Sequence, residues 1–152
     1  MTAYTEQLQR IVKQYQDAGQ PWPASARQMA AWAIRNRLWE PQQSAMITRC
    51  AEELARAMRE EYIRDPQGRS VRAKHAARIE RDGEQYAFWA DIRSATKQHM
   101  EIAFQQRRLQ VLGECRQLKT DVDSYNENRN QGAPIQMIFD FTLDLQELDS
   151  AA

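Results

Sequence analysis

Residues 71–92 decide the fold, and they read VRAKHAARIERDGEQYAFWADI. Small or apolar residues alternate with basic ones as far as Ile79, and a second alternation starts near Tyr86. The Asp82-Gly83 pair between them favours a two-residue type I′ turn, which needs positive φ at both positions. A hairpin closed at this turn pairs Ile79 with Tyr86.

This register gathers the apolar residues of both strands on one face. They are Ala73, His75, Ala77, Ile79, Tyr86, Phe88, Ala90 and Ile92. A slip of one residue would turn one strand over, so the register is strongly specified. The opposite face carries Arg72, Lys74 and Arg78, with Trp89 as its one large aromatic residue. We expect His75 to be a hydrogen-bonded core residue and not a ligand or a base.

Helical periodicity predicts four helices around the hairpin. They cover about residues 4–18, 26–38, 41–63 and 96–126. Ser25 is the expected N-cap of the second helix, and Ser94 or Thr96 that of the fourth. The third helix carries an apolar stripe that we expect to face inward, formed by Ile47, Cys50, Ala51, Leu54, Met58 and Tyr62.

The composition excludes several classes of protein. The chain has 152 residues, of which 42% are hydrophobic, and this suits one domain with an appended element. Cys50 and Cys115 are too few for a disulfide framework or a cysteine-rich zinc site. No apolar run is long enough to span a bilayer, and the first eight residues show no signal-peptide pattern. We therefore expect a cytoplasmic protein.

Charge is unevenly distributed although the formal net charge is zero. Residues 121–152 carry seven acids and one base, a net charge of −6, which leaves +6 on residues 1–120. A basic body suggests an anionic partner, and an acidic tail suggests a solvating or protein-binding role. The alternative is a solvated strand face and a frayed tail.

No constellation of catalytic residues is visible. His75 and His99 lack the i, i+4 spacing of helical zinc ligands, and two histidines need carboxylates to complete a three-ligand site. The five glycines are scattered, so there is no phosphate-binding loop, and no nucleophile elbow occurs. We predict no enzyme activity, no cofactor and no metal site.

The order helix–helix–helix–hairpin resembles the winged helix-turn-helix superfamily over about residues 4–93. Residues 23–30, PASARQMA, look like the opening of its second helix. The resemblance implies a mainly α fold with a small β-hairpin. We expect a winged-helix-like three-helix domain at 4–93, a long C-terminal helix for dimerisation or docking at 94–128, and an extended acidic-apolar tail at 129–152.

The resemblance also implies how the domain would bind duplex DNA. A helix enters the major groove, and cations on the wing contact phosphates. The side chains expected to read bases are Gln42, Gln43 and Arg49. Those expected to contact phosphates are Arg72, Lys74, Arg78 and Arg81. We predict a non-catalytic DNA-binding or regulatory protein; because winged domains also dock proteins, the alternative is a protein–protein interaction or scaffold module.

The tail supplies a second hypothesis. Apolar residues occupy every second position from Ile135 to Leu145, which favours a strand or an extended peptide. Residues 136–141, QMIFDF, look like the short motif with which bacterial proteins bind the replication sliding clamp. The motif residues expected to contact such a partner are Gln136, Met137, Phe139 and Phe141. The alternative is a final strand that covers a sheet edge or groove of the same protein.

The fourth helix carries a stripe that steps by four and three residues from Phe104 to Tyr125. This spacing approaches the repeat of a coiled coil, although Arg108 interrupts it. The stripe predicts either a homodimer or docking on the first three helices.

Overall fold

The computed structural model describes residues 3–41 and 45–151, which are mainly helical with two small antiparallel strand pairs. The helices are α1 (Ala3–Asp17), α2 (Ala26–Arg35), α3 (Met46–Arg59), α4 (Lys97–Asn128) and α5 (Thr142–Ala151). The strands are β1 (Tyr62–Arg64), β2 (Ser70–Arg72), β3 (Lys74–Arg81) and β4 (Glu84–Asp91). The chain divides into two compact units, residues 1–54 and 55–152, with the boundary inside α3.

In the first unit α1 packs on α2 around a small core. Ile11, Tyr15 and Ala33 are its buried apolar residues. The Tyr15 hydroxyl donates to the carbonyl of Pro21 at 2.9 Å, and its ring meets Trp32 edge to face at 5.4 Å. Ser25 caps α2, as predicted: its hydroxyl accepts from the backbone N–H of the residue three positions on, in a capping box.

In the second unit β3 and β4 form the predicted hairpin. Its register is confirmed, with Ile79 opposite Tyr86 and Ala77 opposite Phe88. Asp82 and Gly83 have φ values of 52° and 80°, so both central residues of the turn adopt the positive φ that a type I′ turn needs.

The base of the hairpin packs against α4 through small residues. Ala73 and Ala77 are fully buried, and Ala103 of α4 is 5% exposed. The side-chain amide of Gln106 satisfies both backbone groups of Arg78: its oxygen accepts from the N–H at 2.7 Å, and its nitrogen donates to the carbonyl at 2.9 Å. This contact covers part of the outer edge of β3.

His75 is a buried, hydrogen-bonded residue of this contact, as expected. Its Nε2 lies 2.8 Å from the carbonyl oxygen of Arg72, and its ring packs edge to face on Phe104. The His99 Nε2 in turn lies 2.9 Å from the carbonyl oxygen of His75. Thr96 caps α4 by accepting from the N–H of His99. The hydrogen bond between His99 and the carbonyl of His75 thus joins the base of the hairpin to the first turn of α4.

The third helix is shorter than predicted, because the chain beyond it forms a second hairpin. The prediction of helix to residue 63 is wrong: α3 ends at Arg59, and β1 pairs with β2. The Asp65 carboxylate holds the turn between these strands, since it accepts from the backbone N–H groups of Gln67 and Arg69 and from the Arg69 guanidinium. These bonds satisfy donors that a tight turn would otherwise leave to water.

The apolar stripe of α3 does not face a core as expected. No residue of α3 is buried, and Ile47 and Leu54 are 86% and 58% exposed. The helical spacing of the stripe is correct, but an amphipathic pattern shows only which side of a helix is apolar. It does not show whether a partner covers that side.

The tail is extended only in part. Residues 134–141 have no regular structure and pair with no strand among the described residues. The Asn126 side chain holds the start of this segment beside α4, with bonds to the carbonyl and the N–H of Ile135 at 2.8 and 3.0 Å. The prediction of extended chain beyond Phe141 is wrong, because residues 142–151 form α5. Asp140 accepts from the N–H and hydroxyl of Thr142, the first residue of that helix.

Two glycine-to-alanine substitutions, one in the hairpin turn and one in α4 as the comparison, are expected to change the free energy of unfolding in opposite directions. Gly83→Ala places a Cβ at positive φ and is expected to destabilise the second unit by about 1 kcal/mol. Gly113→Ala, in the middle of α4 and with open space around it, is expected to stabilise by up to about 1 kcal/mol. Urea denaturation measures both; equal effects of the same sign would contradict the turn geometry.

Candidate functional site

A cleft opens between the outer face of the β3–β4 hairpin, α4 and the last turns of α3. All of its lining residues belong to the second unit, and its volume is about 280 Å³. Lys74, Arg78 and Trp89 line it from the hairpin, and Arg72 lines it from the end of β2. Arg59 and Ala55 come from α3, while Ala103, Gln106, Arg107 and Gln110 come from α4. We call this feature the basic cleft.

The basic cleft is strongly cationic. Four arginines and one lysine line it, and no Asp or Glu does. Among the described residues no carboxylate lies within 4 Å of the guanidinium groups of Arg59, Arg72, Arg78 or Arg107. These four groups are therefore open to an external anion, and a guanidinium can bind a phosphate or carboxylate with two parallel hydrogen bonds.

Lys74 differs from the arginines because the protein's own acids engage it. Its Nζ lies 2.9 Å from Glu61 Oε2 and 3.2 Å from Asp91 Oδ2. The hydrogen bonds to Glu61 and Asp91 raise the pKa of Lys74. Arg93 binds Asp91 at 2.6 Å and, with help from Lys74, holds the pKa of that carboxyl well below its usual range. Lys74 is therefore mainly a structural cation at the base of the hairpin.

The structure separates the predicted phosphate contacts. Arg72 and Arg78 lie together in the basic cleft. The grouping of Arg81 with them is wrong, because Arg81 lies on the other face of the hairpin with its guanidinium 4.6 Å from the centre of the Phe88 ring. The alternation of the strand explains this, since position 81 shares the face of positions 77 and 79.

Of the three residues predicted to contact bases, only Arg49 is among the residues that the structure describes. Arg49 is exposed on α3, in the first unit. Gln42 and Gln43 lie outside the described residues. Their assignment to base recognition stays a prediction.

Sequence reasoning missed the half of the cleft that α3 and α4 supply. Arg107 and Gln110 follow Ala103 at helical spacing, which indicates that they share a face of α4. That spacing does not reveal which strand the face packs beside. Arg59 is the last residue of α3, and nothing in the sequence indicates that it lies beside the hairpin.

The predicted partner-binding residues of the tail lie beside the second half of α4. Ile135 to Phe139 and Val122 border a groove of about 360 Å³. Met137 and Phe141 remain 50% and 43% exposed, and the rings of Phe139 and Phe141 meet edge to face. The stripe of α4 is also exposed, at Phe104, Val111, Leu118 and Tyr125. The homodimer through this stripe stays a prediction.

The acid at the centre of the ion-pair cluster gives a prediction for pH dependence. Because the folded protein lowers the pKa of Asp91 below its ordinary 3.8, this carboxylate stabilises the fold above that pH and loses the effect as pH falls further. Asp91→Asn is therefore expected to lower the urea midpoint at pH 7. The difference in midpoint from the wild type is expected to become smaller as pH falls below about 3.8.

Asp149→Asn, on exposed α5, is the control and is expected to leave the midpoint unchanged at either pH. A loss for Asp91→Asn that is the same at pH 7 and at about pH 2 would contradict the assigned role of the carboxylate.

Within residues 3–41 and 45–151, no helix combines the length and apolar character that a bilayer crossing requires. The same residues contain no group of three or more His, Cys, Asp or Glu side chains placed to hold a metal ion. No protein-family model, curated protein or solved structure matches this chain. We therefore base the functional proposal on the chemistry of the basic cleft.

Proposed function

We propose that this is a non-catalytic, regulatory DNA-binding protein that holds the phosphate backbone in the basic cleft. The observation that carries the proposal is the set of four arginines, unpaired with described carboxylates, around one concave site. A polyanion is the ligand that such a site attracts over distance, and release of its counterions favours binding.

The residues proposed to contact phosphates are Arg59, Arg72, Arg78 and Arg107. Their side chains come from four separate elements, α3, β2, β3 and α4, so the packing of these elements sets the spacing of the guanidinium groups. Contacts of this kind fix the position of a nucleic acid without reading its sequence. We therefore expect the contribution of the cleft to affinity to vary little with sequence and to fall steeply with salt.

The finer assignment, a winged-helix-like domain over residues 4–93, is part of this proposal. It is supported by the order of three helices followed by hairpins, and the β3–β4 hairpin would be its wing. Arg49 on α3, together with Gln42 and Gln43, is then proposed to contact bases of the bound DNA.

A double substitution in the cleft tests the proposal. Arg72→Ala with Arg78→Ala is expected to weaken DNA binding by at least tenfold near about 0.1 M salt and to reduce the slope of log affinity against log salt by about two. Fluorescence anisotropy with a labelled random-sequence DNA at several salt concentrations measures both quantities.

Arg81→Ala with Arg116→Ala is the matched control, because it removes the same charge outside the cleft. We expect it to change affinity much less. Equal losses for the two double variants would show a general charge effect and would contradict a site in the cleft, as would a wild-type protein that does not bind.

Docking of a protein on the tail is a second candidate function. It is favoured by the exposed apolar side chains of a segment that carries no basic residue: Ile138 is 83% exposed and Leu143 is 72% exposed. The extended residues 136–141 could add Met137, Phe139 and Phe141 to apolar pockets of a partner, with Gln136 bonding to the rim. A sliding clamp is the partner whose known motif this segment resembles.

Calorimetric titration with a purified bacterial sliding clamp tests this second function. Gln136→Ala with Phe141→Ala is expected to abolish binding, because it removes the rim hydrogen bond and one apolar anchor. Glu147→Ala with Leu148→Ala, outside the motif, is the control. An absence of binding by the wild type, or binding that survives the first double variant, would contradict clamp recognition.

A further inference from the structure

Resting on the proposed DNA-binding function, we infer that the basic cleft takes an unpaired stretch of single-stranded DNA and stacks one of its bases on Trp89. The inference specifies the form of nucleic acid that the cleft prefers. It depends on three features of the site: an indole on which no described ring or cation stacks, a concave shape and a polar group that is already engaged.

Trp89 is a half-buried tryptophan in the wall of the cleft. Among the described residues no other ring and no cation stacks on its indole, and its Nε1 makes no hydrogen bond. It stands opposite Ala76 in the hairpin register, on the same face as Arg78. An indole beside guanidinium groups is the arrangement that binds a base and its phosphate together.

The surroundings of Trp89 leave room for a planar ligand. Four of the lining residues are alanines, contributed by α3, both strands of the hairpin and α4: Ala55, Ala76, Ala87 and Ala103. Their small side chains form an apolar floor within a cleft of about 280 Å³. A nucleobase is flat and largely apolar on its faces, so it fits such a floor better than a hydrated sugar would.

The concave shape favours an unpaired strand over a duplex. Proteins read a duplex by inserting a helix or a ribbon into a groove, which needs a protruding surface. In a duplex both faces of each base are already stacked on neighbours, so Trp89 could reach a base face only after unstacking, at a cost of a few kcal/mol. In a single strand the base is available to Trp89 without that cost.

One of the two glutamine amides that line the cleft is not available to read a base edge. Gln106 uses its amide oxygen and nitrogen on the backbone of Arg78. Recognition by stacking and phosphate contacts tolerates any sequence, because every base has a π face. We therefore expect single-stranded binding with weak sequence preference.

The test compares three labelled probes of equal length by fluorescence anisotropy: single-stranded oligothymidine, a blunt duplex, and an abasic strand that keeps the phosphates without bases. The wild type is expected to bind the oligothymidine at least tenfold more tightly than the other two. Trp89→Ala is expected to lower affinity for oligothymidine about tenfold and to leave affinity for the duplex and the abasic strand unchanged. Trp89→Phe is expected to retain most of the binding.

Trp22→Ala, in the first unit, is the control and is expected to bind like the wild type. The abasic probe tests stacking in the wild-type protein, so the result does not depend on the folding of a variant. Equal wild-type affinity for all three probes would overturn the inference while leaving the proposed function intact. If the wild type binds none of the three probes, both the inference and the proposed function are overturned.

Discussion

The type I′ turn at Asp82-Gly83 is the constraint on which the rest of the second unit depends. Because it sets the register of β3 and β4, it decides which residues share a face. Ala73 and Ala77 thereby lie on the side that is buried, and Arg72, Arg78 and Trp89 on the side that lines the cleft. A register shifted by one residue would separate Trp89 from these arginines and remove the cleft.

The cations of this region divide into two groups by their distance from the protein's own acids. Asp91 and Glu61 engage Lys74, and Asp91 also engages Arg93, so these charges stabilise the base of the hairpin. The cleft arginines have no such partner among the described residues. A concave site that keeps several uncompensated cations close together has a cost in mutual repulsion, and a bound polyanion relieves it.

The sequence predicts the hairpin well, because two alternations and one turn agree on the same register. It also predicts the capped starts of α2 and α4, where Ser25 and Thr96 supply local hydrogen bonds. It does not predict β1 and β2, since three-residue strands carry too little alternation to distinguish them from a helix end. In the tail, a helix forms from Thr142 although the period-two pattern continues to Leu145. The hydrogen bonds from Thr142 to Asp140 favour a turn at this point.

The part of the candidate site that lies on strands is predictable from the sequence. Arg72, Arg78 and Trp89 follow from strand alternation alone, and the same rule, applied strictly, places Arg81 on the opposite face. Arg59 and Arg107 join the site only through the packing of helices beside the hairpin, which is a tertiary property. Helical spacing shows which face of its helix carries each of these residues. It does not show which element packs beside that face.

The most direct test of the central claim uses the four tryptophans as reporters, because only Trp89 lines the cleft. Titration of ¹⁵N-labelled protein with a short DNA strand, followed through the indole N–H signals, locates the bound ligand. The account predicts that the Trp89 signal shifts with saturation while those of Trp22, Trp32 and Trp39 stay in place. A saturable shift at the other three with Trp89 unmoved, or no shift at any of them, would contradict it.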